Sequence, residues 1–329
     1  MIITQTPFRM SFFGGGTDYE GFFKEHGGSV ISTTFDKYCY VNIRHLPRYF
    51  DYKSHLTYSR MEYVNTYEEI EHPAIREAMR MLDIHEVRLI YDADLPAKSG
   101  LGTSSSFAVG MLNAFHALKG QHVDKKKLAD EAIYLERVLC NESGGIQDQI
   151  AASFGGLNRI NFTSKGYEVN PIVISPERKK NLNKNLMLFF TGFSRFSSEI
   201  AVTQEKAVKK KQTDLREMLT LVDEAERCLT SKGNINEFGH LLDTTWRLKR
   251  GITNKISTDA IDLLYDKAIN AGALGGKLLG AGGGGFLLFY VEEEKQQKVK
   301  KMLEDLLYVP FQFEDFGTRV LHYQAECWE

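Results

Sequence analysis

Cysteine is scarce, and the four present, Cys39, Cys140, Cys228 and Cys327, stand far apart without a CxxC pair. That spacing points away from a zinc knuckle and a disulfide framework and reads as reduced thiols. Long apolar runs are also missing: nowhere do about 18 uncharged apolar residues follow one another, so no membrane-spanning helix is expected. The opening MIITQTPFRMSFFGGG is interrupted by Arg9 before a signal-type apolar segment forms, which leaves the cytoplasm as the expected location. The sequons at Asn141 and Asn161 then mean nothing. Neither sign of charge prevails, with 41 Lys and Arg against 43 Asp and Glu, so the basic surface of a nucleic-acid binder is not expected. The nine histidines show neither HExxH nor another ligand spacing.

What remains is an ordinary globular composition, 43% hydrophobic and 26% charged, in 329 residues, enough for two domains. β-branched and aromatic runs predict strands at 2–6, 29–34 and 38–44. A helix follows over 73–82, a strand over 87–92, and a glycine-rich loop that opens into the apolar-periodic segment 105–118. A further helix over 124–139 begins with Asp124 as its N-cap. The polar, turn-rich stretch 161–185 suggests a boundary, dividing the chain into 1–170 and 171–329. Beyond it the pattern predicts a strand over 186–190, helices over 197–230, 235–249 and 258–270, a strand over 286–291, a helix over 292–307 and a strand over 318–323. Segregated helices with an expected antiparallel sheet define an α+β class.

Three glycine-rich places concentrate the chemistry. In the first, a strand runs into Gly14, Gly15 and Gly16 followed by Thr17, Asp18 and Tyr19. Glycine permits close approach of a ligand to backbone, and the Asp18 carboxylate can accept from two hydroxyls of a polyol; a tight turn capped by Asp18 would use the same residues. The second, Pro96 to Ser106, lies between a strand and a helix. Its backbone N–H groups and hydroxyls, from Ser99, Gly100, Leu101, Gly102, Thr103, Ser104, Ser105 and Ser106, suit an anion, although a Ser-rich N-cap would look alike. It lacks the GK[ST] of a Walker A loop, and Ser105 stands where a dinucleotide fingerprint has its third glycine. The third, Gly280 to Gly285, spells GxGxxG but leads into a strand, the wrong context for a dinucleotide site. The entropic cost of four successive glycines suggests a function such as backbone approach to phosphate. Between the last two places, Glu136 and Asp148 can meet in one cleft with Mg2+ and a substrate hydroxyl, or remain apart; spacing alone does not decide.

In this order, PAKSGLGTSSS, GGIQDQ and KLLGAGGGG resemble the motifs of the galactokinase, homoserine kinase, mevalonate kinase and phosphomevalonate kinase superfamily, the GHMP kinases, across essentially the whole chain. Within it, RMSFFGGGTDY, ISTTFDKYCY, HPAIREAM, QDQIAASFGGLNRI and LMLFFTGFSRFSSEIA are most similar to the D-glycero-D-manno-heptose 7-phosphate kinases. Galactokinases carry Gly-Glu-His in the first motif, so Gly14-Gly15-Gly16 departs from them. The resemblance implies a two-domain fold, a ribosomal protein S5 domain 2-like half followed by a ferredoxin-like α+β half, with ATP and Mg2+ as cofactors. It implies that Ser104 and Glu136 hold the metal, that Asp148 faces the acceptor hydroxyl beside Arg9, and that 96–106 wraps the ATP phosphates. Gly14 to Tyr19 and Gly145 would contact the sugar, and Gly280, Gly282 and Gly283 the acceptor side. The implied partner is a phosphorylated sugar, which needs a second basic pocket from among Lys37, Arg44, Lys98 and Arg195, with Arg195 preferred.

Two rivals stay open: another anomeric sugar kinase, such as an L-fucose kinase or galactokinase, and a non-catalytic sensor of sugar or nucleotide. Asp315-Phe316-Gly317 spells the protein-kinase DFG without its partner motifs, and the cluster Lys206, Lys209, Lys210 and Lys211 reads as a solvated helix face.

Overall fold

The computed structural model describes residues 1–97, 99–192, 202, 203, 205 and 211–324. The first half supplies β1 (Ile2–Phe13), α1 (Glu20–His26), β2 (Gly28–His45), β3 (Ser54–Thr57), β4 (Met61–Val64), α2 (Pro73–Leu82), β5 (Val87–Ala93), α3 (Thr103–Leu118), α4 (Lys125–Tyr134), α5 (Gln147–Phe154), β6 (Asn158–Thr163) and β7 (Gly166–Pro171). Then come α6 (Pro176–Lys184), β8 (Leu186–Phe190), α7 (Gln212–Thr230), α8 (Glu237–Ile252), α9 (Asp259–Ala271), β9 (Gly275–Leu278), β10 (Phe286–Tyr290), α10 (Gln296–Met302), β11 (Leu307–Val309), β12 (Phe313–Glu314) and β13 (Arg319–Tyr323).

A nine-stranded sheet runs β13-β1-β2-β5-β3-β4, with β12 and β6 also on β2 and β7 on β6; a four-stranded antiparallel sheet runs β11-β8-β10-β9. The strand expected over 2–6 continues to Phe13, with a register shift between Pro7 and Phe8 where proline supplies no N–H to the ladder. The strands expected over 29–34 and 38–44 are one long β2. From beyond the boundary placed at 170, β12 and β13 cross back to the first sheet, setting Tyr323 opposite Ile2 and pairing the open edge of β1. The polar stretch 161–185 is built into the β6–β7 hairpin and α6. The helix expected over 292–307 is shorter, because β11 claims its end to pair with β8. Most of the opening of the helix expected from 197, including Lys206, Lys209 and Lys210, lies outside the described residues.

Two features position the site. Helix α3 is buried on almost every side and lies close on β1: Thr4 Oγ1 donates to the Gly110 carbonyl at 2.9 Å, and a side chain at Gly110 would meet Thr6. Its first turn therefore sits beside Arg9. Asp124 caps α4 by accepting from the Lys127 N–H at 2.8 Å, but the helix expected to run to Leu139 widens over Leu135–Leu139, where the Cys140 N–H reaches the Leu135 carbonyl at 2.9 Å. Such a π-type turn rotates the side chains that follow, and here Glu136 is buried. The core then joins the halves: Phe8, Met10 and Phe12 of β1 pack with Leu221 and Val222 of α7, Phe238 of α8 and Phe286 of β10. Among the described residues, no helix is long and apolar enough to cross a membrane.

Candidate active site

A cleft of about 210 Å³ opens along this seam. Arg9, 4% exposed, holds Asp148 through two parallel bonds, Nε to Oδ1 and Nη2 to Oδ2, each 2.7 Å, and spends Nη1 on the Gly100 carbonyl at 2.8 Å. A fork of this kind fixes the plane of the carboxylate. Asp148 stands in the first turn of α5, where the helix field favours negative charge, and its side chain lines the cleft.

Asp18 is buried beside it. Its Oδ1 accepts from the Gly16 N–H at 2.9 Å and its Oδ2 from Gln147 Nε2 at 3.0 Å. Burial pushes this carboxyl above its usual range; the Asp148 charge adds to the rise and the Gly16 N–H opposes it. Gly145 closes over the carboxylate, and a Cβ there would collide with it. Burial likewise raises the phenol of Tyr19, which also lines the cleft. Two polar atoms of the lining, Ser11 Oγ and Gln147 Oε1, are buried and make no hydrogen bond among the described residues. Neither residue was singled out from the sequence, although Ser11 lies inside the first glycine motif.

On the opposite wall, Glu136 Oε1 accepts from Ser104 Oγ at 2.9 Å, while Oε2 accepts from Ser105 Oγ at 2.7 Å and from Gln149 Nε2. All three donors are neutral, so a 1% exposed side chain holds a carboxylate with no cation paired to it among the described residues. A hard divalent ion that retains waters suits one carboxylate and one exposed hydroxyl. The neighbouring Glu142 carboxyl is pushed up to about 6, first by burial and then by Glu136, against the pull of Arg137.

Glycines of the second and third motifs meet each other. A Cβ on Gly100 would strike the Leu279 carbonyl, and one on Gly280 would strike Gly100. The expectation that these glycines admit a phosphate is thus incomplete, because they also let two loops pack backbone to backbone. Of the residues expected in the site, Arg9, Gly15, Gly16, Asp18, Tyr19, Gly100, Gly102, Thr103, Ser104, Ser105, Glu136, Gly145, Asp148 and Gly280 line one cleft. The others are placed differently. Thr17 Oγ1 is turned to the Gly14 and Ser29 carbonyls, Ser106 Oγ to the Pro7 carbonyl, and Leu101 is in the core. Ser99 is buried, Pro96 is exposed, and Gly282 and Gly283 pack at Ile256, none of them in the cleft lining. Lys37 pairs with Asp36 at 3.3 Å, and neither it nor Arg44 reaches the cleft. Lys98 and Arg195 lie outside the described residues.

Two lysines do reach it. Lys249 of α8, 6% exposed, donates to the Gly280 carbonyl at 2.5 Å, and Lys277 of β9, 1% exposed, donates to the Phe12 carbonyl at 2.8 Å. Sequence reading passed over both, yet Lys249 falls on the stripe Leu242, Thr245, Trp246, Lys249, Ile252 that α8 buries, a place where a lysine needs a reason. Burial, reinforced by Arg9, brings Lys249 down to about 8 from its ordinary 10.5, although Asp18 and Asp148 pull the other way. Lys277 falls well below the usual lysine range through burial, then Lys249 and Arg9. Since the folded state holds the Lys249 proton more weakly than the unfolded chain, the penalty is complete below about 8 and fades as pH rises toward 10.5. Lys249→Met is therefore expected to raise the melting temperature at neutral pH, by less as pH climbs through that window; thermal denaturation across pH checks both.

The family models for the GHMP kinases N-terminal domain and the GHMP kinases C-terminal domain match residues 65–156 and 203–309, in that order. The chain belongs to the GHMP kinases and has their two-domain mixed α/β fold. It is an ATP-dependent phosphotransferase, as the kinases of this family are. The D-glycero-alpha-D-manno-heptose 7-phosphate kinase of Campylobacter jejuni is 28% identical over 299 residues, 85% of this chain and 86% of that protein. A galactokinase of Pyrococcus furiosus is 29% identical over 220 residues, 57% of this chain and 60% of that protein. The crystal structure of a D-glycero-D-manno-heptose 1-phosphate kinase from Bacteroides thetaiotaomicron superposes with a TM-score of 0.74 at 23% identity, covering 99% of this chain and all of that one.

Proposed function

We propose that this kinase phosphorylates the anomeric C1 hydroxyl of a sugar, D-glycero-D-manno-heptose 7-phosphate, to give the 1,7-bisphosphate. The observation that carries the sugar is the polar wall beside Asp148: Asp18, Ser11 and Gln147 line one cleft, and Ser11 Oγ and Gln147 Oε1 are buried without partners among the described residues. Several hydroxyls on one small molecule would satisfy these atoms together, because buried polar groups otherwise go unpaired at a cost. The particular sugar is supported by the similarity to the Campylobacter heptose kinase over most of both chains.

In this reading the acceptor hydroxyl lies against Asp148, which orients it and takes its proton as the phosphoryl group arrives. Arg9 holds the carboxylate in one plane and places a guanidinium beside the developing charge, and positioning with electrostatics accounts for most of such a transfer. The N–H groups opening α3 receive the ATP phosphates. Ser104 and Glu136 would hold Mg2+, which when bound screens phosphate charge.

An ADP-release assay with Mg-ATP tests this against heptose 7-phosphate, unphosphorylated heptose, L-fucose, galactose and mannose. Turnover confined to heptose 7-phosphate is the expected result. Preference for fucose or galactose would keep the kinase and overturn the substrate, whereas binding of sugar and ATP without turnover would favour a sensor.

A further inference from the structure

The second half of the chain sets two lysine amino groups in the cleft wall, and nothing described so far uses them. Each can donate three hydrogen bonds, yet among the described residues each makes one, to a neutral carbonyl, and neither forms an ion pair. The nearby carboxylates are already engaged: Asp148 by the Arg9 fork, Asp18 by Gly16 and Gln147. Arg9, Lys249 and Lys277 line one cleft with Asp18 and Asp148. Buried polar groups with unused donors are expensive to maintain, and Lys249 and Lys277 lie in the same lining as Arg9 and Asp18. A lysine that served only as a strut between backbone segments would need no second lysine beside it.

We propose that Lys249 and Lys277 form an anion subsite that takes a phosphoryl group at the acceptor end of the cleft. The chemistry has two sources. One is the phosphate that the acceptor already bears, and that assignment rests on the substrate proposed above. The other is the phosphoryl group passing from ATP to the hydroxyl at Asp148.

Titration calorimetry of inorganic phosphate into the full-length protein loaded with Mg-ADP tests the subsite without reference to any sugar. Lys249→Met and Lys277→Met are each expected to weaken phosphate binding roughly 10- to 100-fold, the scale of a lost charged hydrogen bond. Wild-type affinity in both variants, or no phosphate binding by the wild type, overturns the proposal. Melting temperatures establish that the variants fold; if Lys277→Met does not, Lys277→Gln, which keeps a neutral N–H donor on the side chain, replaces it. Kinetics then separate the sources. A higher KM for heptose 7-phosphate with kcat kept assigns the subsite to the acceptor's phosphate. A fall in kcat with the KM for heptose 7-phosphate kept assigns it to the phosphoryl in transit. Wild-type kinetics in both variants overturn it. Should the wild type not turn over heptose 7-phosphate, the substrate reading fails, while the calorimetry still decides the lysines.

Discussion

Asp148→Asn is expected to lower kcat by roughly 10²- to 10⁴-fold, the range a positioned proton acceptor contributes, with the KM for ATP little changed. Asparagine has nearly the volume of aspartate but only one acceptor oxygen, and it turns an amide N–H2 toward the Nε and Nη2 donors that now meet Oδ1 and Oδ2. The replacement removes the carboxylate proposed to receive the proton, and it also sets donor against donor, so the side chain leaves the plane Arg9 imposes. Since Arg9 is buried, part of the effect should appear as a lower melting temperature from an unpaired guanidinium. A double-mutant cycle with Arg9→Met separates these contributions: if the two act as one unit, the double variant is little worse than Asp148→Asn alone. An Asp148→Asn enzyme as active as the wild type would remove Asp148 from the chemistry.

Glu136→Gln is expected to reduce kcat/KM roughly 10²- to 10³-fold at fixed Mg2+, taking several kcal/mol of metal stabilisation at about 1.4 kcal/mol per factor of ten. The concentration of Mg2+ needed for half-maximal rate should rise, and excess metal should restore part of the activity. The substitution keeps the size of the side chain; its single carbonyl oxygen can still accept from Ser105 and Gln149, while the Ser104 hydroxyl, free to rotate, can accept from the new amide instead. A residue that merely anchored α3 to the turn after α4 would lower the melting temperature and leave the Mg2+ dependence where it was. Titration of activity against Mg2+ for both proteins decides between the two.

How far the site could be read in advance depended on how local its signals are. The loop before α3, the Asp124 cap and the helix of residues 73–82 are written in contiguous residues, and the structure places them there. Asp148, Glu136 and Arg9 were reached through motif resemblance, since spacing alone left Glu136 and Asp148 undecided. Ser11, Gln147, Lys249 and Lys277 went unread, because each is an unremarkable residue until its burial is known. Lys249 looks like one more polar position of an amphipathic helix, and only the stripe it shares with Trp246 betrays it. Two of the four basic candidates for a phosphate, Lys37 and Arg44, were judged by charge, and they stand on the first sheet outside the cleft lining.

The chain's order of motifs, its glycine loops and most helices follow from short-range chemistry: periodic burial, capping and the conformations open to glycine. Tertiary structure alone decided that β1 lies between β2 and β13, that Gly100 and Gly280 pack backbone to backbone, and that two lysines from the second half share a cleft with Asp18 from the first. The physical reason is that hydrogen-bond patterns within a helix or turn depend on neighbours a few residues apart, whereas burial of a charge depends on which distant surfaces close over it.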